Sequence, residues 1–434
     1  MKPITQEMIA RMHADFQSDR MNRTLQAVCA KTDLAELAYV PENGAKLNGE
    51  FSLELKTMSV TAQQKSGRCW AFAGMNIMRE IVAKKCGLEE FELSGNYIAF
   101  WDKLEKCNDV LEMVIKYADL PFGDRMMDYI AYGIWDGGYW DMFVDIVKKY
   151  GVAPKSAMPE TWTSAHTDTF MSQLNRLLRK DGAELKAMIA RGEDPTARKE
   201  EMLSEIYKAL SIVFGEPVQK FDFSWRDKDK EYHIDRDLTP KAFYEKYVGL
   251  EVENYITIVN EPTPRKPMGK AFTFHYIGNM AESMCLCLNL PIEDLKQLAI
   301  TQMKDGEPVW FACDVGHASN RKQGILDPAS FDYGAILGGI DLSMSKSDGI
   351  EWKESNATHA MLLTGVNFGA DGNPDRWKVE NSWGSEVGNK GYFVCSDAYF
   401  DEYVYEVIIN KKYLSDAQKA MLAEEPIEVL PWNS

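Results

Sequence analysis

No stretch of this chain is long and apolar enough to cross a membrane. No window approaches the 18 or more consecutive apolar residues of a spanning helix. The first twenty residues, MKPITQEMIARMHADFQSDR, mix charges throughout and contain no apolar core of a secretory leader. These two absences lead to the expectation of a cytoplasmic protein with no membrane partner. Basic residues are in deficit: 49 Lys and Arg against 66 Asp and Glu leave a net charge of −17. A field of that sign repels phosphate backbones and anionic lipid, so no nucleic-acid partner is expected. Histidine is scarce at six residues, which leaves few candidates for a general base. Internal repeats and low-complexity tracts are absent.

Eight cysteines are present, an even number, but in a large chain without a leader they do not imply a disulfide framework. Cys285 and Cys287 form a C-x-C pair with no further ligand types nearby, so neither a metal nor another cofactor is expected. Most of these thiols should be small buried core residues.

At 434 residues and 45% hydrophobic content, the chain can bury a large core in two or three units. Residues 1–54 read as an N-terminal helical segment, with Ile9, Met12, Phe16, Met21, Leu25 and Val28 at near-helical spacing. Residues 55–162 are aromatic-rich with helical stretches. Residues 163–265 carry long charged runs and interrupted helical periodicity, broken at Asp181 and Gly182, and read as a mostly helical insertion. Residues 266–410 turn to strands: EPVWFACDV, HAMLLTGVNF, RWKVEN, GYFVCS and YVYEVIIN are β-branched or aromatic runs between Gly, Asn and Asp turns. Short strands and tight turns predict an antiparallel sheet. Residues 411–434 form a C-terminal tail. Helices early and strands late give an α+β class.

The segment SGRCWAFAGMNIMREIVAKKCG is the most informative. Ser66 and Gly67 can start a helix and Gly87 can stop it. Cys69 then lies in the first turn, where unpaired N–H groups and the positive helix end favour a thiolate, the nucleophilic form. The predicted buried stripe is Trp70, Ala73, Gly74, Ile77 and Ile81, with Asn76, Arg79, Glu80 and Lys84 as the polar positions between.

A thiolate nucleophile needs a histidine as base and acid. His359 opens the strand HAMLLTGVNF, and RWKVEN returns after the turn GADGNPD. Antiparallel pairing about that turn brings Asn381 within a few residues of facing His359. A neutral asparagine there accepts the imidazole N–H and fixes its tautomer. His317 also follows a strand and competes as base, but no Asn or Asp returns to it at hairpin distance. Singly, each of these residues is ordinary core or turn material; the combination carries the signal. The oxyanion needs donors, and the Cys69 backbone N–H with the side chain of Gln63 or Gln64 offers them.

Gln63 six residues before Cys69, Trp70 after it, Ala360 after His359, and Asn381 opening NSWG together resemble the papain-type cysteine peptidases. The wording QKSGRCWAF, ELSGNYIAFWDKLEK and DGGYWDMFVDIVKKYGVAPKSAMPETW resembles, more narrowly, the bleomycin hydrolase and aminopeptidase C family. That resemblance implies a two-lobed papain-like core, a helical lobe beside an antiparallel barrel-like one. It implies peptide hydrolysis through Cys69, His359 and Asn381 by way of a thioester, with Gln63 in the oxyanion hole. By the same likeness Gly137 and Gly138 pair with substrate backbone, and Trp383 shields the His–Asn hydrogen bond. Cys69 and His359 are 290 residues apart, against roughly 130–150 in simple papain-like enzymes; the insertion accounts for most of the excess. The resemblance gives such insertions the role of arms in a hexameric ring.

It also implies an aminopeptidase, in which the terminal carboxylate of a C-terminal arm receives the substrate's amino group. Here the chain ends EPIEVLPWNS, so Leu430, Pro431 and Trp432 match only the start of that arm's L-P-x-W-D-P-M-G type segment. A tail too short to carry the Ser434 carboxylate into the cleft would favour endopeptidase or oligopeptidase action instead. The same triad would also serve amide hydrolysis or acyl transfer on a non-peptide substrate.

Overall fold

Residues 1–281 and 283–433 are described by the structure, a computed structural model, the side chain of residue 433 excepted. The helix Cys69–Cys86 forms where the sequence predicts it. Arg68 precedes it, and Gly87 ends it in the left-handed region (φ 66°), its N–H bonded to Ala83 O. The expected one-sided stripe does not hold. Residues on nearly every face are buried, Asn76 and Arg79 among them. The reason is a polar partner across the interface: Glu380 Oε1 accepts from Arg79 Nη2 at 2.9 Å and from Asn76 Nδ2 at 3.1 Å.

This central helix packs on Gly95–Lys116, Trp140–Tyr150 and the strand His359–Phe368. Residues 163–265 need three corrections. The helices Asp168–Ala190 and Thr196–Phe214 are not a separate arm; both lie on Gly95–Lys116 and bury Leu174, Leu178, Leu185, Met202, Ile206 and Leu210 in the helical lobe's core. Asp181 and Gly182 do not interrupt their helix. Gly182 sits where a Cβ would come within 3.2 Å of Val114, so its small size admits the neighbouring helix. Tyr255–Val259 is not insertion at all but a strand of the main sheet, buried at every position, as its β-branched run YITIV favours. Between these lies a two-stranded hairpin, Phe221–Arg226 with Tyr232–Leu238.

Among the described residues, twelve strands form one sheet. Its centre runs Tyr255–Val259, Val404–Asn410, Val309–Cys313, His359–Phe368, Pro374–Glu380 and Tyr392–Ser396, antiparallel throughout. The antiparallel expectation fails at the periphery, where three pairs are parallel. One of these corrects the view of 411–434 as a plain tail: Ile427–Val429 pairs with Lys270–Phe274 and extends the sheet. The N-terminal helices Gln6–Ser18 and Arg20–Cys29 bury no residue within the chain; Ile9, Met12, Phe16, Met21 and Val28 are exposed. Six cysteines are buried, Cys69 is half-buried and Cys29 is exposed. Among the described residues no helix is long and apolar enough to cross a membrane.

The Arg79–Glu380 pair yields a test of the lobe interface. Both side chains are 1% exposed, so Arg79→Ala leaves a buried carboxylate uncompensated and should cost about 3–5 kcal/mol. The double variant Arg79→Met with Glu380→Leu should recover most of that loss in urea denaturation. Additive losses would show that the pair is not coupled.

Candidate active site

The turn entering the Cys69 helix is clamped before it reaches the cysteine. Arg68, 1% exposed, bonds both oxygens of Glu160 at 3.1 Å and Ser66 Oγ at 2.8 Å. Gly67 N donates to Asp136 Oδ2 at 3.2 Å, and Trp70 Nε1 donates to Asp136 O at 2.9 Å. Burial alone would raise the Asp136 carboxyl, but the Lys103 ammonium 2.5 Å away overrides it and holds that carboxyl well below its usual range. Lys106 Nζ bonds the carbonyls of Trp135 and Gly137. The cysteine turn and the irregular segment carrying Gly137 and Gly138 are thus locked to each other.

Both glycines have a packing reason to be glycine. A Cβ on Gly138 would lie 2.6 Å from the Trp70 indole, and one on Gly137 would lie 3.0 Å from the Trp135 ring. The close approach predicted for a substrate backbone is therefore also a close approach to the core.

Cys69 is the first residue of its helix, and its thiol receives the N–H groups of Ala360, Trp70 and Cys69 itself. Burial pushes the thiol pKa up; these N–H groups oppose it. Ala360 follows His359, so the sulfur lies against the residue next to the imidazole. His359 Nε2 pairs with Asn381 Oδ1 at 2.8 Å. Nε2 is then the donor, and Nδ1 is the free base, making no protein hydrogen bond among those described. Sγ and Nδ1 are not hydrogen-bonded to each other in this state. The Trp383 ring stacks on His359 at 4.6 Å and 29°. Arg321 lies 4.9 Å from the other ring partner, Trp383. Burial pushes the imidazole down to about 4; the Asn381 bond opposes this and Arg321 adds to it.

The hairpin estimate is close. Leu362 pairs with Glu380, and the turn closes with Gly369 N bonded to Asn373 O. Extending that register sets Asn381 two positions from directly opposite His359, a gap its side chain spans.

Of the two candidate glutamines, Gln63 is buried beside the site and Gln64 is exposed. Gln63 Nε2 donates to Ser66 O at 2.6 Å and its Oε1 accepts from Ser382 Oγ at 2.7 Å. One Nε2 hydrogen remains for an oxyanion. His317 has both nitrogens engaged, Nδ1 with Asp314 at 2.9 Å and Nε2 with Glu354 at 3.2 Å. Sequence reasoning missed Arg68, Asp136, Lys103, Arg321 and Glu380. Their partners come from distant segments, so no local spacing signals them.

The model of the Peptidase C1-like family matches residues 3–434. The chain belongs to that family. It is 42% identical over 432 residues to an aminopeptidase C of Listeria monocytogenes, covering 99% of this chain and 98% of that one. It is 44% identical over 431 residues to an aminopeptidase C of Lactobacillus delbrueckii subsp. lactis, covering 96% of each. A solved structure, pepw from Lactobacillus rhamnosis, superposes with a TM-score of 0.96 at 41% identity, over 99% of this chain and 98% of that one. This Peptidase C1-like protein is therefore a cysteine-type peptidase with a papain-like α+β fold, similar to the aminopeptidase C proteins over its full described length.

The buried imidazole makes stability depend on acid. Its unfolded pKa is near 6.5 and its folded value about 4. Between these values the unfolded chain binds the proton more readily. The contribution is present in full above pH 6.5 and is lost as pH falls towards 4, by about 3 kcal/mol at ~1.36 kcal/mol per pKa unit. Urea midpoints at pH 7 and 4.5 should differ by less in His359→Gln than in the parent protein. Equal differences would show that the imidazole is not held neutral.

Proposed function

We propose that this protein is an aminopeptidase that hydrolyses peptides through Cys69, His359 and Asn381. The observation that carries the reading is the 2.8 Å His359–Asn381 bond, which leaves Nδ1 unbonded while the sulfur rests against Ala360. Nδ1 takes the thiol proton as Sγ attacks the scissile carbonyl. The Cys69 N–H and the remaining Gln63 Nε2 hydrogen stabilise the oxyanion. Nδ1 returns the proton to the leaving amine, which departs and leaves a thioester. Water gives a proton to Nδ1 as it attacks the thioester carbonyl; the C–S bond then breaks, the acid product leaves, and the proton returns from Nδ1 to the Cys69 sulfur. Asn381 stays neutral and holds the ring, and Trp383 keeps water from their hydrogen bond.

The aminopeptidase assignment follows the names of the similar proteins. It is supported by the course of the chain's end: after pairing with the sheet at Ile427–Val429, the chain brings Trp432 to the wall of a pocket that also holds Tyr139 and Glu406. The Ser434 carboxylate, which the resemblance assigns to the substrate's amino group, lies outside the described residues. A cytoplasmic location and a homohexamer belong to the same proposal, with the exposed apolar residues of the first two helices as surface available for association.

Two measurements test it. Cys69→Ala should lose at least about 10³-fold in kcat, and retained activity would remove the nucleophile assignment. A free-amine peptide should be shortened stepwise from its N-terminus while its N-acetylated twin resists. Equal cleavage of both would establish endopeptidase action, and transfer to an added amine in place of hydrolysis would establish an acyl transferase.

A further inference from the structure

The peptidase reading lays the acyl half of a substrate along Gly137 and Gly138, beside the cavity walled by Tyr139, Ala357 and Glu406. The departing amine takes its proton from Nδ1 of His359, so the leaving fragment runs the other way, across the imidazole. What it meets there is Trp383, whose ring stacks on His359 at 4.6 Å. Beyond it is Arg321, whose guanidinium carbon lies 4.9 Å from the centre of the Trp383 ring. Neither residue is on the cavity wall. These two contacts set the cation less than three extended residues, at about 3.3 Å each, from the imidazole.

The fold holds the backbone of Arg321 in place. It follows Asn320 in the hairpin of Ser319–Asn320 with Ile325–Leu326, where Gly324 N bonds Asn320 O at 2.8 Å and Gln323 N bonds Asn320 Oδ1 at 3.1 Å. From outside the hairpin, Gly388 N bonds Lys322 O at 3.3 Å, and Ile325–Leu326 pairs with Tyr392–Ser396. The side chain itself is exposed and makes no hydrogen bond or ion pair among the described residues. Arg68, Arg79, Arg198 and Arg376 each hold an acid. An unpaired cation beside the imidazole also works against turnover, because His359 has to take up a proton and Arg321 opposes it. A carboxylate on the leaving fragment would pair with the guanidinium and remove that opposition.

We propose that Arg321 determines specificity on the leaving side, its guanidinium receiving a carboxylate carried by the departing fragment next to Trp383. The C-terminal carboxylate of a short peptide and an acidic side chain present the same chemistry there, and the test separates them. This inference deepens the peptidase reading and rests on it for turnover, but binding tests it alone.

Three substrates suffice, followed by release of leucine in the full-length enzyme: Leu-Ala, Leu-Ala amide and Leu-Glu amide. A carboxylate-bearing member should exceed Leu-Ala amide in kcat/KM by about five-fold, the scale of a solvent-exposed ion pair. The excess should shrink in about 1 M salt. Arg321→Gln should bring that ratio towards one, and Arg321→Lys should keep part of it. An Arg321-dependent excess for Leu-Ala identifies the C-terminal carboxylate, and one for Leu-Glu amide alone identifies the side chain. Ratios that Arg321→Gln leaves unchanged overturn the proposal, even if all three substrates slow, since Arg321 would then only support Trp383. Calorimetric titration of Cys69→Ala with the same peptides reads the contact without chemistry. Tighter binding of a carboxylate-bearing peptide, lost when Arg321→Gln is added, supports the subsite even if turnover fails. Equal binding of all three overturns it even if turnover succeeds.

Discussion

Everything at the site depends on how the Cys69 helix is seated against the sheet. That seat is polar. Glu380, one residue before Asn381, takes Asn76 and Arg79 from the helix on a single oxygen. Trp310 Nε1 from the sheet donates to Trp70 O, one residue after Cys69, at 3.0 Å. Gln63 N and Oε1 bond Ser382 O and Oγ, one residue after Asn381. The bonds to Glu380 and Ser382 tie the cysteine's helix and its approach to the two neighbours of the asparagine, and the Trp310 bond ties Trp70 to the sheet. Apolar packing alone would allow the helix to slide by fractions of an ångström; directional bonds do not. Burial pushes the Glu380 carboxyl up to about 7 even with Arg79 in contact. The seat therefore costs desolvation, and what it provides is register between sulfur and imidazole.

The same burial sets the resting charge state. It raises the thiol and lowers the imidazole, so the empty site favours the neutral pair. Proton transfer from sulfur to Nδ1 is then coupled to substrate attack. Asn381 suits this arrangement, since an aspartate would hold the ring permanently charged. Glu406, when ionised, also works against a free thiolate, while burial pushes its own carboxyl up to about 8.

Much of this was legible in the sequence. The Cys69 helix, its Gly87 stop and the five late strands follow from local periodicity and turn residues, and those signals are strong where an element is long. The His359–Asn381 pairing followed from hairpin arithmetic because a short turn leaves little freedom of register. What failed was anything decided by distant partners. Asn76 and Arg79 look like solvent-facing positions until Glu380, about 300 residues away in sequence, is opposite them. The helices at 168–214 look like a detached arm because charged residues dominate their outer faces, yet their inner stripes complete the helical lobe. YITIV reads as part of the insertion because it follows a helical, charged region, and only its place between neighbouring strands makes it a strand of the main sheet. Glu406 sits in an apolar strand, where a single acid carries no spacing signature.

The central claim is that the sulfur of the early half and the imidazole of the late half act as one unit. Alkylation of Cys69 by iodoacetamide across pH, followed by mass spectrometry of the Cys69 peptide, reads this directly. The parent protein should react at a nearly constant rate through the neutral range, with His359→Gln slower there and rising only as pH approaches the ordinary thiol value of 9. Superimposable profiles for the two proteins would contradict it.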